Sequence, residues 1–172
     1  MLSLERYMGA ELRWLKRGFG RRVHELVGED GTTFAKLTVE GILTSHARLE
    51  TDIRQYMLIW TGFVRRRIKI IDLDGGQQLG ELYLGIRDRG EFRLNGRRYS
   101  LRHNLLGSVY TVTDDVGSVL FRLTDKLLSG KGPLVSLGPD ARMNRDLMVL
   151  IATARYAVVM ISQEGFVIVS SA

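Results

Sequence analysis

Arg142-Met143-Asn144-Arg145-Asp146-Leu147-Met148-Val149-Leu150-Ile151-Ala152-Thr153-Ala154-Arg155-Tyr156-Ala157-Val158-Val159-Met160 is the stretch from which the rest of the chain can be read. Asn144 or Asp146 can cap a helix start, and Leu147, Leu150, Ile151, Ala154, Val158 and Ile161 recur at helical spacing. Met148, Val149, Ala157, Val159 and Met160 fill most of the remaining faces, so the spacing predicts a helix near 144–161 that is apolar nearly all round. Such a helix must be enclosed on nearly all sides. A β-barrel wrapped around it is the sheet arrangement that does this. The apolar run from Leu147 to Ile161 is shorter than the roughly 20 residues that span a bilayer, and Arg155 stands inside it, so it reads as buried in protein. An enclosed Arg155 needs either an exit at the barrel mouth or an internal acid such as Asp52 or Glu81.

Working outward, the chain before this helix writes one hairpin pattern three times. Leu26 to Leu37, Ile71 to Leu82 and Val112 to Leu123 superpose on Gly31, Gly76 and Gly117. An aliphatic residue stands five positions before each glycine, and Phe34, Leu79 and Leu120 stand three after it. Asp30, Asp74 and Asp115 precede the glycines, which is turn chemistry: aspartate bonds nearby backbone and glycine takes positive φ without a Cβ clash. Beyond the turns a period of two directs Ala35, Leu37, Val39, Leu82, Leu84, Phe121 and Leu123 to the core, with Lys36, Glu81 and Arg122 facing away. Further strands are expected at His46 to Ile53, Gln55 to Val64, Phe92 to Leu94, Tyr99 to Arg102 and Phe166 to Ser170, with Asn95-Gly96 as a tight turn.

The bulk numbers fit one domain over 1–172, since 45% hydrophobic residues in 172 supply one sizeable core. Cysteine is absent, which removes disulfides, thiolate metal sites and cysteine nucleophiles and points to a reducing compartment. Met1 to Tyr7 carries charges where an export signal needs apolar residues, so the expectation is a cytoplasmic protein, at most peripheral to a membrane. Lysine and arginine outnumber acids by 25 to 19, a net +6 that favours anionic partners.

Many antiparallel strands followed by one hydrophobic helix and a last apolar strand resemble the tubby C-terminal-like superfamily, which includes LURP-one-related proteins and phospholipid scramblases. The residues that carry the resemblance are the hairpin Val109 to Phe121, the preceding Gly96-Arg97-Arg98-Tyr99, and the helix Asp146 to Met160. It implies an antiparallel barrel of about twelve strands around a central helix, a mainly β fold of the α+β kind. Tubby-like domains bind phosphoinositides through basic side chains and scramblases act at membranes, so the resemblance implies a lipid-facing role. No tubby lipid-site motif matches residue by residue, and the cysteine-rich and proline-rich stretches of scramblases are missing.

The chain carries no legible catalytic centre. His24, His46 and His103 lack second ligands at metal-binding spacing, and Asp72-Leu73-Asp74-Gly75-Gly76 lacks the glutamate of a calcium loop, with Tyr83 at that position. Gly130-Lys131-Gly132 is not a phosphate loop, Gly18-Phe19-Gly20 is not a dinucleotide fingerprint, and nothing converges on Asp114-Asp115. No metal or cofactor is expected. What remains is clustered basic charge. Arg65, Arg67 and Lys69 would share one strand face and could bind phosphates as a row, since the guanidinium fork matches phosphate oxygens two at a time. Arg97, Arg98 and Arg102 form another cluster, and Arg13, Lys16, Arg17, Arg21 and Arg22 a third. The bland explanation of the first is a solvated strand edge that resists aggregation. The sequence is therefore read as a non-enzymatic module that binds anionic phospholipid headgroups through Arg65, Arg67, Lys69, Arg97 and Arg98, with no membrane-spanning segment. A second reading is an interaction protein that dimerises or holds a protein partner through an open sheet edge or apolar patch. Nucleic acid is a weaker third, because aromatics do not alternate with the basic residues.

Overall fold

The architecture comes from a computed structural model, which describes residues 11–18, 22–40, 45–62, 65–85, 89–104, 108–125 and 132–170, with side chains to 163. Twelve strands run β1 Glu11–Arg17, β2 Val23–Val27, β3 Thr33–Glu40, β4 His46–Thr51, β5 Gln55–Thr61, β6 Arg66–Asp72, β7 Gln78–Leu84, β8 Arg89–Leu94, β9 Arg97–Asn104, β10 Val109–Thr113, β11 Val119–Thr124 and β12 Leu134–Leu137. A short 3-10 turn, Ala141–Met143, leads into helix α1, Leu147–Ser170. Every strand pairs antiparallel with its sequence neighbours, and β1 closes on β12 through Glu11↔Ser136, Leu12↔Val135 and Arg13↔Leu134. The result is the closed twelve-strand barrel with one C-terminal helix that the apolar helix demanded.

The three repeated hairpins share their backbone as well as their sequence. Gly31, Gly76 and Gly117 all take positive φ, at 82°, 65° and 89°. Each hairpin then carries a β-bulge at the same offset, where Phe34, Leu79 and Leu120 are skipped in the pairing. A bulge breaks strict alternation, so Phe34 and Ala35, like Leu120 and Phe121, are consecutive buried residues. The second turn is one residue longer, closing Asp72 N–H to Gln77 O where the others close over Gly28 to Thr32 and Asp114 to Ser118. Two of the turn acids differ from those expected. Asp72 accepts from Asp74 N–H and Asp114 from the Val116 and Ser118 N–H groups, so Asp74 and Asp115 are free of that work, while Asp30 accepts from Thr32 N–H as expected.

Gly80, four positions beyond Gly76, faces inward beside Leu94, and a Cβ there would lie 2.0 Å from the Arg93 carbonyl oxygen. Both flanking groups are backbone, so neither strand can yield without breaking pairing. Gly80→Ala is expected to destabilise the fold by about 3 kcal/mol, read as a lower urea midpoint with unchanged slope.

The core is a sleeve of inward strand residues closed on the helix. Leu147, Leu150, Ile151, Ala152, Ala154, Ala157 and Val158 are buried, and full enclosure continues to Val158 before Val159 to Ile161 become half-buried and Ser162 and Gln163 exposed. Burial of each large aliphatic side chain contributes roughly 1.5–3 kcal/mol, so this stretch rather than helix propensity holds α1 in place. Its start is fixed by Asp146, buried, which accepts from Asn95 Nδ2 at 2.7 Å and Tyr99 Oη at 2.9 Å, while Asn144 Oδ1 accepts from Asp146 N–H at 2.9 Å. The turn that supplies Asn95 is the expected Asn95-Gly96, with φ of 51° and 76°.

One expected strand is overturned. Residues 166–170 belong to the helix, which continues to Ser170; the sheet is already closed by β1 and β12 and has no edge for a further strand. The strand expected to reach Val64 ends at Thr61, before Gly62 at φ 87°. Met1 to Tyr7, Phe19, Gly20, Arg21, Phe63, Val64, Gly130 and Lys131 lie outside the described residues.

Candidate functional site: the outer wall of β6 to β11

Cross-strand pairing decides which cations share a surface. Along β6, Ile68, Ile70 and Asp72 point in, so Arg67 and Lys69 point out; Arg65 is exposed just before the strand. Lys69 pairs with Glu81, Glu81 with Arg93, and Arg93 with Arg98, one outward row across β6, β7, β8 and β9. A second row runs Arg89, Arg102, Thr111, Arg122 across β8 to β11. Strands lie about 4.8 Å apart, so these rows form a continuous field. Arg97 does not join it. It has the inward parity of Tyr99 and Leu101 and stands exposed at the barrel end. Arg97 and Arg98, adjacent in sequence, thus serve different surfaces.

Two pairs of arginines, Arg93 with Arg98 and Arg89 with Arg102, face each other directly across β8 and β9. Like charges at such positions are destabilising. Among the described residues only one of the four has an acid within ion-pair distance: Arg93 meets Glu91 at 2.7 Å. This contact, with Arg98 nearby, holds the Glu91 carboxyl below its ordinary range. Arg67 lies 3.9 Å from Glu81. Tyr83 donates to Glu81, which raises the phenol's pKa, and its ring lies under both Arg67 and Arg93, with guanidinium carbons 5.1 and 5.5 Å from the centroid. Among the described residues, Arg89, Arg98, Arg102 and Arg122 make no ion pair, and the outward strand positions of β6 to β11 hold seven cations against the two acids Glu81 and Glu91.

The outward positions of β1 to β5 are built differently. Arg13, Arg17, Lys36 and Arg48 are matched by Glu11, Glu25, Glu40 and Glu50. Cross-strand pairs lace them: Arg17 to Glu25 at 3.2 Å, Lys36 to Glu50 at 3.8 Å and Arg48 to Glu40 at 3.6 Å. The third sequence cluster therefore stays apart, on and beside β1. Since β6 has β5 and β7 as neighbours and the barrel has no edge, the edge-protection explanation for Arg65 to Lys69 does not hold. An open-edge dimer loses its edge for the same reason.

The two ends of the barrel also differ. The turns after β2, β4, β6, β8 and β10, and the entry to α1, all lie at one end, as antiparallel order requires. Among the described residues, that end carries Glu29, Asp30, Asp52, Asp72, Asp74, Asp114, Asp115, Asp140 and Asp146 against Arg54, Arg97, Arg142 and Arg145. Asp72 is held by Arg54 at 3.1 Å, and the aspartate-rich stretch that resembled a calcium loop is simply this turn.

Near the other end sits Arg155, inside the barrel and 3% exposed. Its partner is Asp125, at 3.2 Å, with His24 Nδ1 at 3.5 Å on the second terminal nitrogen. Neither Asp52 nor Glu81 could serve: Asp52 is exposed on a turn at the opposite end, and Glu81 points outward from β7. A guanidinium only donates, so His24 presents an unprotonated Nδ1. Burial, then Arg155 and Lys16, lower the His24 pKa to about 3. No group of three potential metal ligands occurs among the described residues, and no helix there is long and apolar enough to cross a membrane.

The barrel with its enclosed helix defines the class of architecture. An X-ray structure of a protein from Arabidopsis thaliana is similar to it, with a TM-score of 0.61 and 12% identity over 91% of this chain and 95% of that one. At that identity the likeness shows the fold alone. No family model matches the chain, and no curated protein matches it.

Register, which sequence spacing could not supply, is what brings Arg89, Arg93 and Arg122 to the field around Arg67, Lys69, Arg98 and Arg102. Arg122 alone carried a visible signal, as the outward residue of a predicted hairpin.

Proposed function

We propose that this domain is a non-enzymatic binding module that lies sideways on anionic membrane surfaces, with the wall of β6 to β11 against the phospholipid headgroups. The observation that carries this reading is that, among the described residues, Arg89, Arg98, Arg102 and Arg122 make no ion pair while Arg17, Lys36 and Arg48 on the other wall are each paired. Opposed arginines cost stability, and headgroup phosphates placed over them relieve that repulsion with bidentate hydrogen bonds. A row of cations on a rigid, gently curved wall matches a surface of many phosphates better than one deep pocket would. The resemblance to tubby-like domains supports the same ligand class. Each basic side chain near an anionic surface contributes about 1 kcal/mol, enough in sum for reversible attachment without insertion.

The test is co-sedimentation with liposomes. Attachment is expected to vesicles containing phosphatidylserine and not to neutral phosphatidylcholine, weakening steeply from low to physiological salt. Equal binding to both vesicle types, or to neither, would remove the proposal.

A further inference from the structure

All four exposed large hydrophobic side chains among the described residues lie at the acidic turn end: Ile53, Leu73, Val116 and Met143, with 72%, 38%, 81% and 78% of their surface open. They come in two neighbouring pairs. Leu73 N–H bonds Gln55 O, tying the turns of Ile53 and Leu73 together; Gly138 N–H bonds Leu120 O, placing the approach to Met143 beside the turn of Val116. Single exposed apolar residues are ordinary, but their confinement to one end is not. Glu29, Asp52, Asp74, Asp115 and Asp140 at the same end have carboxylates that accept no side-chain or turn hydrogen bond among the described residues. This unspent negative charge is the complement of the guanidinium groups of Arg89, Arg98, Arg102 and Arg122, which make no ion pair among the described residues.

We propose that the acidic, apolar-tipped turn end of one copy docks on the arginine wall of a second copy. The wall supplies cations for the free carboxylates, and the aliphatic stems of its arginines, with Tyr83, Val109 and Val119 among them, supply cover for Val116 and Met143. The two surfaces are different, so the contact is heterologous and leaves one wall and one end open at each step, giving rings or open chains rather than a closed dimer. Because the docked end covers the same arginines that would face a membrane, self-association and attachment to anionic lipid exclude one another. The contact itself rests on the two surfaces and not on the lipid reading, and it is measured without lipid.

The experiment is light scattering and sedimentation velocity on the full chain across a concentration series at low and high salt. The wild type is expected to rise above 19.5 kDa with concentration, with association weakened about tenfold or more by raised salt. R98E/R102E/R122E and D52K/D115K/D140K, each checked by circular dichroism, are expected to stay monomeric alone. Mixed, they associate again, because the intact end of the first meets the intact wall of the second. V116S/M143S should weaken association severalfold while leaving its salt dependence unchanged. A wild type that stays monomeric, an association indifferent to salt, or two charge variants that remain monomeric on mixing would each overturn the proposal.

Discussion

Asp125→Ala is expected to destabilise the protein by about 3–5 kcal/mol, because it strands the Arg155 guanidinium inside the barrel without a counter-charge. Arg155 is 3% exposed, its Nε already lacks a hydrogen-bond partner, and His24 cannot replace the lost carboxylate because it is neutral. Replacing both members at once should behave differently. Desolvating two charges costs several kcal/mol per ion, so Asp125→Leu with Arg155→Met is expected to unfold near the wild-type midpoint or above it. Urea denaturation of Asp125→Ala and of the double variant separates the cases. If Asp125→Ala unfolds within 1 kcal/mol of wild type (on the order of one ordinary hydrogen bond), the buried pair is not the constraint on the helix that its geometry indicates.

The second large effect is one of pH. The His24 pKa falls from an ordinary 6.5 to about 3 in the folded barrel, first through burial and then through Arg155 and Lys16. Its folded-state pKa is depressed, so the unfolded chain binds the extra proton between these values. The contribution is therefore complete above pH 6.5 and lost as pH falls toward 3. By pH 4.5 the loss amounts to about 2–3 kcal/mol. Carboxylates titrate in the same window, and the comparison with His24→Gln isolates the imidazole: the amide oxygen still accepts from Arg155 but takes up no proton. Denaturation at pH 7.5 and 4.5 should show the variant falling less than wild type by that amount. Parallel losses in the two proteins would contradict the burial of a neutral His24 beside the guanidinium.

Much of the fold was legible because it is written locally. Leu147 to Val158 is apolar nearly all round, which forces enclosure, and the turn glycines at 31, 76 and 117 announce their hairpins through φ that other residues resist. What escaped was non-local. β12 is four residues long, too short to show a period, and β1 alternates Leu12 and Trp14 inward but is so crowded with Arg13, Lys16 and Arg17 that it reads as a charge cluster. The helix overran the strand expected near its end because closure of β1 on β12 is invisible in either segment alone. The candidate wall was half legible for the same reason. Arg67 and Lys69 share a face by the period of two, whereas the meeting of Arg93 with Arg98, and of Arg102 with Arg122 around Thr111, depends on how four strands register. Adjacent Arg97 and Arg98 look like one cluster in sequence and are divided by the pleat.

The central claim is that the position of the arginines, not the total charge of the chain, attaches the domain to anionic lipid. The direct measurement is the affinity of R98Q/R102Q/R122Q and of R17Q/K36Q/R48Q for phosphatidylserine vesicles, two variants that each lose three positive charges. At about 1 kcal/mol per residue the first should bind roughly a hundredfold more weakly, and the second, whose cations are already paired, should stay within about twofold of wild type. Equal losses in both would show that net charge alone does the work and would contradict the assignment of the β6 to β11 wall.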